Sequence, residues 1–119
     1  MRETLFDIII DDASHVNTLT IKSFNILFGR IRQNGLYIIE DLGCGYFELE
    51  KDFNVSRTWP GMRYNNPECN FNNKKEDIQE FTNSIIEQLD MGENKMEVYS
   101  LSHYSFVHRY KFIMIIGKN

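Results

Sequence analysis

Two short apolar runs, separated by a stretch with helical spacing, open the chain. The first predicts a strand near 5–11; because it is β-branched and apolar on both faces, we expect a central parallel strand covered on each side. Apolar residues then recur on one face of a helix near 17–33, which Asn34-Gly35 can end. The second apolar run predicts a buried strand near 36–40. This order predicts a parallel crossover that makes the two strands neighbours.

The remainder of the chain alternates between irregular and periodic sequence. Residues 42–73 hold both prolines and little periodicity, which predicts a long irregular loop. Helical spacing returns near 74–90, and two strands near 96–103 and 109–117 are expected to form an antiparallel pair beside the first two. We therefore predict an α/β fold with the order β-α-β-loop-α-β-β, in a single domain spanning 1–119.

Composition narrows the class of protein but not its chemistry. The net charge is -4 and the basic residues are scattered, which argues against a nucleic-acid partner. No apolar run approaches the roughly 18 residues of a membrane span, and a secretory signal pattern is lacking. Cys44 and Cys69 have no metal-type spacing; they can pair in an oxidising compartment, but a reduced, cytoplasmic protein is the favoured expectation. Cys44 has no identifiable neighbouring base, which favours a structural cysteine.

Both apolar runs end in acidic residues, and this repetition suggests a site. Asp11, Asp12 and His15 follow the first run, and Glu40 and Asp41 follow the second. In a parallel α/β sheet, ligands bind outside the carboxyl ends of the strands, and neighbouring strands lie only about 4.8 Å apart. Carboxylates that close repel each other unless a cation lies among them, and Mg²⁺ prefers oxygen ligands. The alternative is that these acids only cap helices and solvate strand ends.

The other polar and aromatic candidates remain open. His103 and His108 lie in or beside the predicted terminal hairpin, where a surface or interface histidine is the favoured interpretation. Trp59, Tyr46 and Tyr64 lie in the predicted loop, where they can close over a ligand or fix the loop to the body of the protein.

Two motifs resemble a known family. The segments "DASH", residues 12–15, and "NGLYIIED", residues 34–41, are similar to the patterns that follow the fourth strand and run through the fifth strand of class I S-adenosylmethionine-dependent methyltransferases. The group most resembled is the metal-dependent sugar O-methyltransferases that modify macrolide antibiotics, with the related cephalosporin-hydroxylase-type proteins. The resemblance implies a partial Rossmann-like sheet, with strands equivalent to 4-5-7-6 of that fold and a C-terminal antiparallel hairpin.

The resemblance also implies a role for each candidate residue. Asp12, Glu40 and Asp41 would be the ligands of Mg²⁺, and His15 would be the general base for the acceptor hydroxyl. Asp11 would contact the rim of S-adenosylmethionine, and Tyr46 would contact the substrate.

Some positions depart from the family pattern. Ala13 and Asn34 replace glycines, and the segment 43–45 replaces a polar stretch. The glycine-rich turn that binds the cofactor in the family is absent from this sequence. The chain therefore resembles the C-terminal half of an enzyme, and the other half would come from another chain, be lost in a truncated gene, or lie outside this sequence.

Three functions follow as expectations. The leading one is a segment that methylates a hydroxyl of a sugar or other small molecule, with S-adenosylmethionine and Mg²⁺ as cofactors. The second is a non-catalytic fragment that acts only in association, because an exposed strand edge favours pairing with a second copy or a complementing chain. The third is a small metal-dependent hydrolase that uses the same acids. No nucleic-acid or membrane partner is expected.

Overall fold

The computed structural model describes residues 4–46, 73–92 and 103–119. Most of the predicted loop, most of the strand predicted near 96–103, and Trp59, Tyr64 and Cys69 lie outside these residues. The described elements are four strands, two α-helices and two short 3-10 helices. In chain order they are β1 (Phe6–Asp11), α1 (Asn17–Leu27), a 3-10 helix (Phe28–Arg30), β2 (Ile31–Ile39), a 3-10 helix (Leu42–Tyr46), α2 (Lys75–Met91), β3 (Tyr104–Tyr110) and β4 (Ile113–Lys118).

The strands form one four-stranded mixed sheet with the order β1-β2-β4-β3. β1 and β2 are parallel neighbours, while β4 pairs antiparallel with both β2 and β3. This arrangement confirms the predicted α/β class, and its strand order matches the expected 4-5-7-6. Among the described residues, no helix is long and apolar enough to cross a membrane.

The predicted boundary between the first helix and the second strand is wrong. α1 ends at Leu27 rather than near residue 33, and β2 begins at Ile31 rather than near residue 36. The reason is that Asn34-Gly35 forms an irregularity within the strand: Phe6 pairs with Ile31, yet Ile8 pairs with Leu36. Asn34 has a φ of 65°, and a Cβ on Gly35 would lie 2.6 Å from Ile31 Cγ2. The asparagine and glycine mark a backbone irregularity, but inside a strand rather than at a helix end.

The terminal hairpin also differs from its prediction. Its strands are β3 and β4, with the turn at Lys111-Phe112, so 109–117 is not one continuous strand. Residue 103, the described end of the strand predicted near 96–103, is not in a strand. His108 and Arg109 lie on β3, where their exposed side chains reach solvent. Arg109 donates from its guanidinium to the carbonyls of Tyr110 and Ile113, across the turn.

A single hydrophobic core lies on one face of the sheet. Phe24 of α1 is 4% exposed, and its ring centroid lies 4.9 Å from that of Phe28, 5.1 Å from Tyr37 and 5.2 Å from Phe81. The other face is not covered by described residues: Ile8 and Ile10 are 54% and 57% exposed. Within residues 4–46, 73–92 and 103–119, β1 lies at the sheet edge with helices on one face only, which differs from the predicted central strand covered on both sides.

Candidate active site

The parallel pairing of β1 and β2 brings the two acidic strand ends together. Asp11 pairs with Ile39, and the backbone N–H of Glu40 donates to the Asp11 carbonyl at 3.0 Å. The residues that follow each strand, Asp12 and Asp41, therefore leave the sheet at the same edge. The predicted meeting of the two strand ends is what the fold produces.

Local backbone geometry then turns the side chains toward each other. His15 and Asp41 have φ values of 56° and 52°, in the left-handed region that few residues adopt. The turn after Asp41 is closed by its own carbonyl, which accepts a hydrogen bond from the Cys44 N–H at 2.9 Å. Leu42 anchors the same turn to the terminal hairpin by donating its N–H to the Phe112 carbonyl at 2.9 Å.

Three side chains form the cluster that results. His15 Nε2 lies 3.4 Å from Asp41 Oδ2 and 3.8 Å from Asp12 Oδ1. One ligand atom of each residue lies within 4.8 Å of the others. The imidazole is 20% exposed, whereas the Asp12 and Asp41 side chains are 54% and 49% exposed, so water and ligands reach the carboxylates. Mg²⁺ is usually bound through one or two carboxylates and several waters, and this donor set fits that requirement.

The structure places the remaining predicted site residues outside this group of three. Glu40 is half-buried and joins the strand ends through its backbone. Asp11 is half-buried on the helix-covered face, where its Oδ2 accepts a hydrogen bond from the Tyr37 hydroxyl at 3.5 Å. Burial, reinforced by the Asp11 charge, raises the pKa of Tyr37. Tyr46 ends the second 3-10 helix and packs, half-buried, against the core.

Two buried asparagines beneath the cluster were not identified from the sequence. Asn17 and Asn73 are each 3% exposed, and the Asn17 N–H donates to Asn73 Oδ1 at 2.9 Å. The Asn17 side-chain amide donates to the carbonyls of Gly45 and Lys74. The Asn73 side-chain amide donates to the carbonyls of His15 and Cys44. The available signal was the density of asparagines before the second helix, which indicated only loop.

The remaining candidates contribute no side chain to the three-residue cluster. Cys44 is 4% exposed, as expected of a structural cysteine. His108 is exposed on β3, with its ring centroid 4.7 Å from that of Phe106 and 6.2 Å from that of Tyr110. His103 is also exposed.

Known proteins are similar to part of this chain. No protein-family model matches the chain. Demethylmacrocin O-methyltransferase of Streptomyces fradiae is 52% identical over 57 residues, which are 48% of this chain and 11% of that protein. Mycinamicin VI 2''-O-methyltransferase of Micromonospora griseorubida is 50% identical over 57 residues, with the same coverage of 48% and 11%. Over about half of its length, the chain is homologous to macrolide sugar O-methyltransferases.

Solved structures of a homologue agree over nearly all of the chain. MycE methyltransferase from the mycinamycin biosynthetic pathway, in complex with Mg, SAH and mycinamycin VI, matches with a TM-score of 0.58 and 28% identity. That match covers 95% of this chain and 25% of MycE. A second crystal form with Mg and SAH gives a TM-score of 0.54 and 26% identity. The fold therefore resembles part of the Rossmann-like fold of that methyltransferase, and the chain spans about a quarter of MycE and about a tenth of the curated relatives it matches.

Proposed function

We propose that this chain is the acceptor-activating part of an S-adenosylmethionine-dependent O-methyltransferase that acts on a hydroxyl of a sugar or similar small molecule. The observation that carries the proposal is the Asp12–His15–Asp41 cluster. It lies at the ends of the two parallel strands, in a chain homologous to sugar O-methyltransferases. The MycE complexes with Mg and SAH support the two cofactors.

The acids of the cluster would hold the metal. Asp12 and Asp41 present exposed carboxylates on neighbouring strand ends, and Glu40 completes the proposed ligand set from the position before Asp41. Bound Mg²⁺ would supply positive charge that lowers the cost of deprotonating a coordinated hydroxyl. Asp11 would contact the rim of the methyl donor, and Tyr46 would contact the acceptor.

His15 would be the general base. Its Nε2 is the ring nitrogen that lies toward both carboxylates, so it faces the place where an acceptor hydroxyl would be held. The hydroxyl O–H bond breaks as His15 takes the proton, the oxygen–methyl bond forms, and the sulfur–methyl bond of the donor breaks. The products are a methyl ether, protonated His15 and S-adenosylhomocysteine. General bases contribute roughly 10²- to 10⁴-fold to the rate of such a step.

The proposal includes the setting in which the chain acts. The β1 edge, which no other described strand pairs with, favours a second copy or a complementing chain as partner, and we propose a cytoplasmic location. Because the chain lacks the glycine-rich cofactor turn, we expect it to bind S-adenosylmethionine poorly when alone.

The activity is best tested in a chimera. The quarter of MycE that this chain matches would be replaced by residues 4–119, and transfer of labelled methyl from S-adenosylmethionine to mycinamicin VI would be measured with and without Mg²⁺. We expect metal-dependent transfer, which His15→Ala lowers by roughly 10²- to 10⁴-fold. His108→Ala is the matched control, because that exposed imidazole is on β3 and should leave transfer unchanged. A folded chimera that binds the methyl donor but transfers nothing would favour the non-catalytic alternative.

A further inference from the structure

Asn73 uses its whole side-chain amide to join two segments of the site. It immediately precedes Lys74, the N-cap residue of α2, and is 3% exposed. Its Nδ2 donates to the His15 carbonyl at 2.9 Å and to the Cys44 carbonyl at 3.1 Å. An amide NH₂ has two donors, so both are satisfied by these bonds. The amide thereby connects the loop that carries His15 to the turn that follows Asp41.

The opposite side of the same amide fixes the chain just after His15. Asn73 Oδ1 accepts a hydrogen bond from the Asn17 N–H at 2.9 Å. Asn73 therefore holds both the carbonyl of His15 and the N–H two residues later. Both groups belong to the backbone that leaves His15, whose φ of 56° is one that a histidine rarely adopts without support.

Burial makes this connection hard to replace. Water cannot readily substitute for the amide, because both Asn73 and Asn17 are 3% exposed. If Nδ2 were lost, the His15 and Cys44 carbonyls would both lose the donor that joins them, and the His15 loop could then move away from the turn. The imidazole would then leave its place 3.4 Å from the Asp41 carboxylate.

We infer that Asn73 is a positioning residue for the candidate site, because it holds the His15 loop and the Asp41 turn in the relative placement that forms the three-residue cluster. This inference deepens the proposed function and rests on it for the metal. It assigns a site role to a residue just before α2 that contributes no side chain to the cluster itself. Outer partners that orient metal ligands typically change metal affinity by 10- to 100-fold when they are substituted.

The test substitutes one atom of the amide. Asn73→Asp keeps the Oδ1 acceptor for Asn17 and replaces the NH₂ by an oxygen that faces two carbonyls. We expect Mn²⁺ affinity, measured on the 119-residue chain by titration and electron paramagnetic resonance, to fall roughly 10- to 100-fold. In the metal-free protein, NMR coupling constants of labelled His15, one of three histidines, report its backbone φ. In Asn73→Asp these couplings should no longer correspond to the left-handed φ of 56°.

Thr82→Val is the matched control. Thr82 is buried on the same helix and donates to the Ile78 carbonyl at 2.9 Å, so its loss also removes a buried donor but leaves the site untouched. Unchanged His15 signals and Mn²⁺ affinity in Asn73→Asp, or equal changes in Thr82→Val, would overturn the inference. If the aspartate variant does not fold, Asn73→Ser takes its place. Failure of the wild-type chain to bind Mn²⁺ would contradict the proposed function, whereas the His15 couplings would still decide the role of Asn73.

Discussion

The substitution Gly45→Ala tests whether the asparagine pair beneath the site stabilises the fold. A Cβ at residue 45 would lie 2.4 Å from Asn17 Oδ1, so one of the two must move. The Asn17 amide is committed to the Gly45 and Lys74 carbonyls, both at 2.8 Å. Each such bond contributes about 1 kcal/mol net, and a buried carbonyl left without a donor costs about 1–3 kcal/mol. We expect the free energy of unfolding to fall by about 2–4 kcal/mol.

Gly29→Ala is the matched control for this experiment. A Cβ at residue 29 has no heavy atom within 4 Å, so the added methyl group should be tolerated. Replacing glycine at a compatible position stabilises by about 0.4–1 kcal/mol, because the unfolded chain loses freedom. Urea unfolding followed by circular dichroism would give the free energy of unfolding of both variants. The two can be compared directly because the dependence of that free energy on urea concentration should be similar. Equal stability of the two variants would refute the view that the close contact with Asn17 matters.

Two further predictions concern the core and its buried phenol. Phe24→Ala should lower the free energy of unfolding by about 3–5 kcal/mol, because that ring joins both helices to the sheet, whereas Leu19→Ala, 49% exposed on the same helix, should change it far less. The tyrosine of the unfolded chain ionises near its ordinary pKa of 10.0, whereas the raised pKa of Tyr37 keeps its hydroxyl protonated in the folded protein. The stability that this gives is therefore present below pH 10 and is lost as the pH rises above it. Between pH 10 and pH 11 the wild type should lose about 1 kcal/mol more than Tyr37→Phe in urea unfolding, and parallel losses would contradict a buried, neutral phenol.

The pairing of the first two strands and the position of the site could be predicted because both depend on local sequence. Two apolar runs ended by acids predict neighbouring parallel strands with Asp12 and Asp41 at one edge, and the motif resemblance supplied the order of the remaining strands. The start of β2 could not be predicted in this way. Its first residues pair with β1 through an irregularity at Asn34-Gly35, and a glycine has the same local signature there as at a helix end.

The contacts of Asn73 beneath the site could not be predicted from the sequence, for a different reason. Asn73 is 58 residues from His15, and nothing in an asparagine-rich stretch indicates which carbonyl an amide will reach. Likewise, the exposure of Ile8 depends on which elements cover each face of the sheet, and the sequence of the strand alone does not indicate this.

Metal binding by the cluster is the central claim, and one calorimetric comparison tests it. The wild-type chain, Asp12→Asn, Asp41→Asn and Asp7→Asn would each be titrated with Mn²⁺. Asp7 is the charge-matched control, because it is exposed and paired with Arg32 at 3.6 Å, near the other end of β1. We predict one Mn²⁺ per wild-type chain, binding weakened at least about 10-fold by either substitution in the cluster, and no change in Asp7→Asn. Equal affinity in all four proteins would show that the acids only solvate the strand ends.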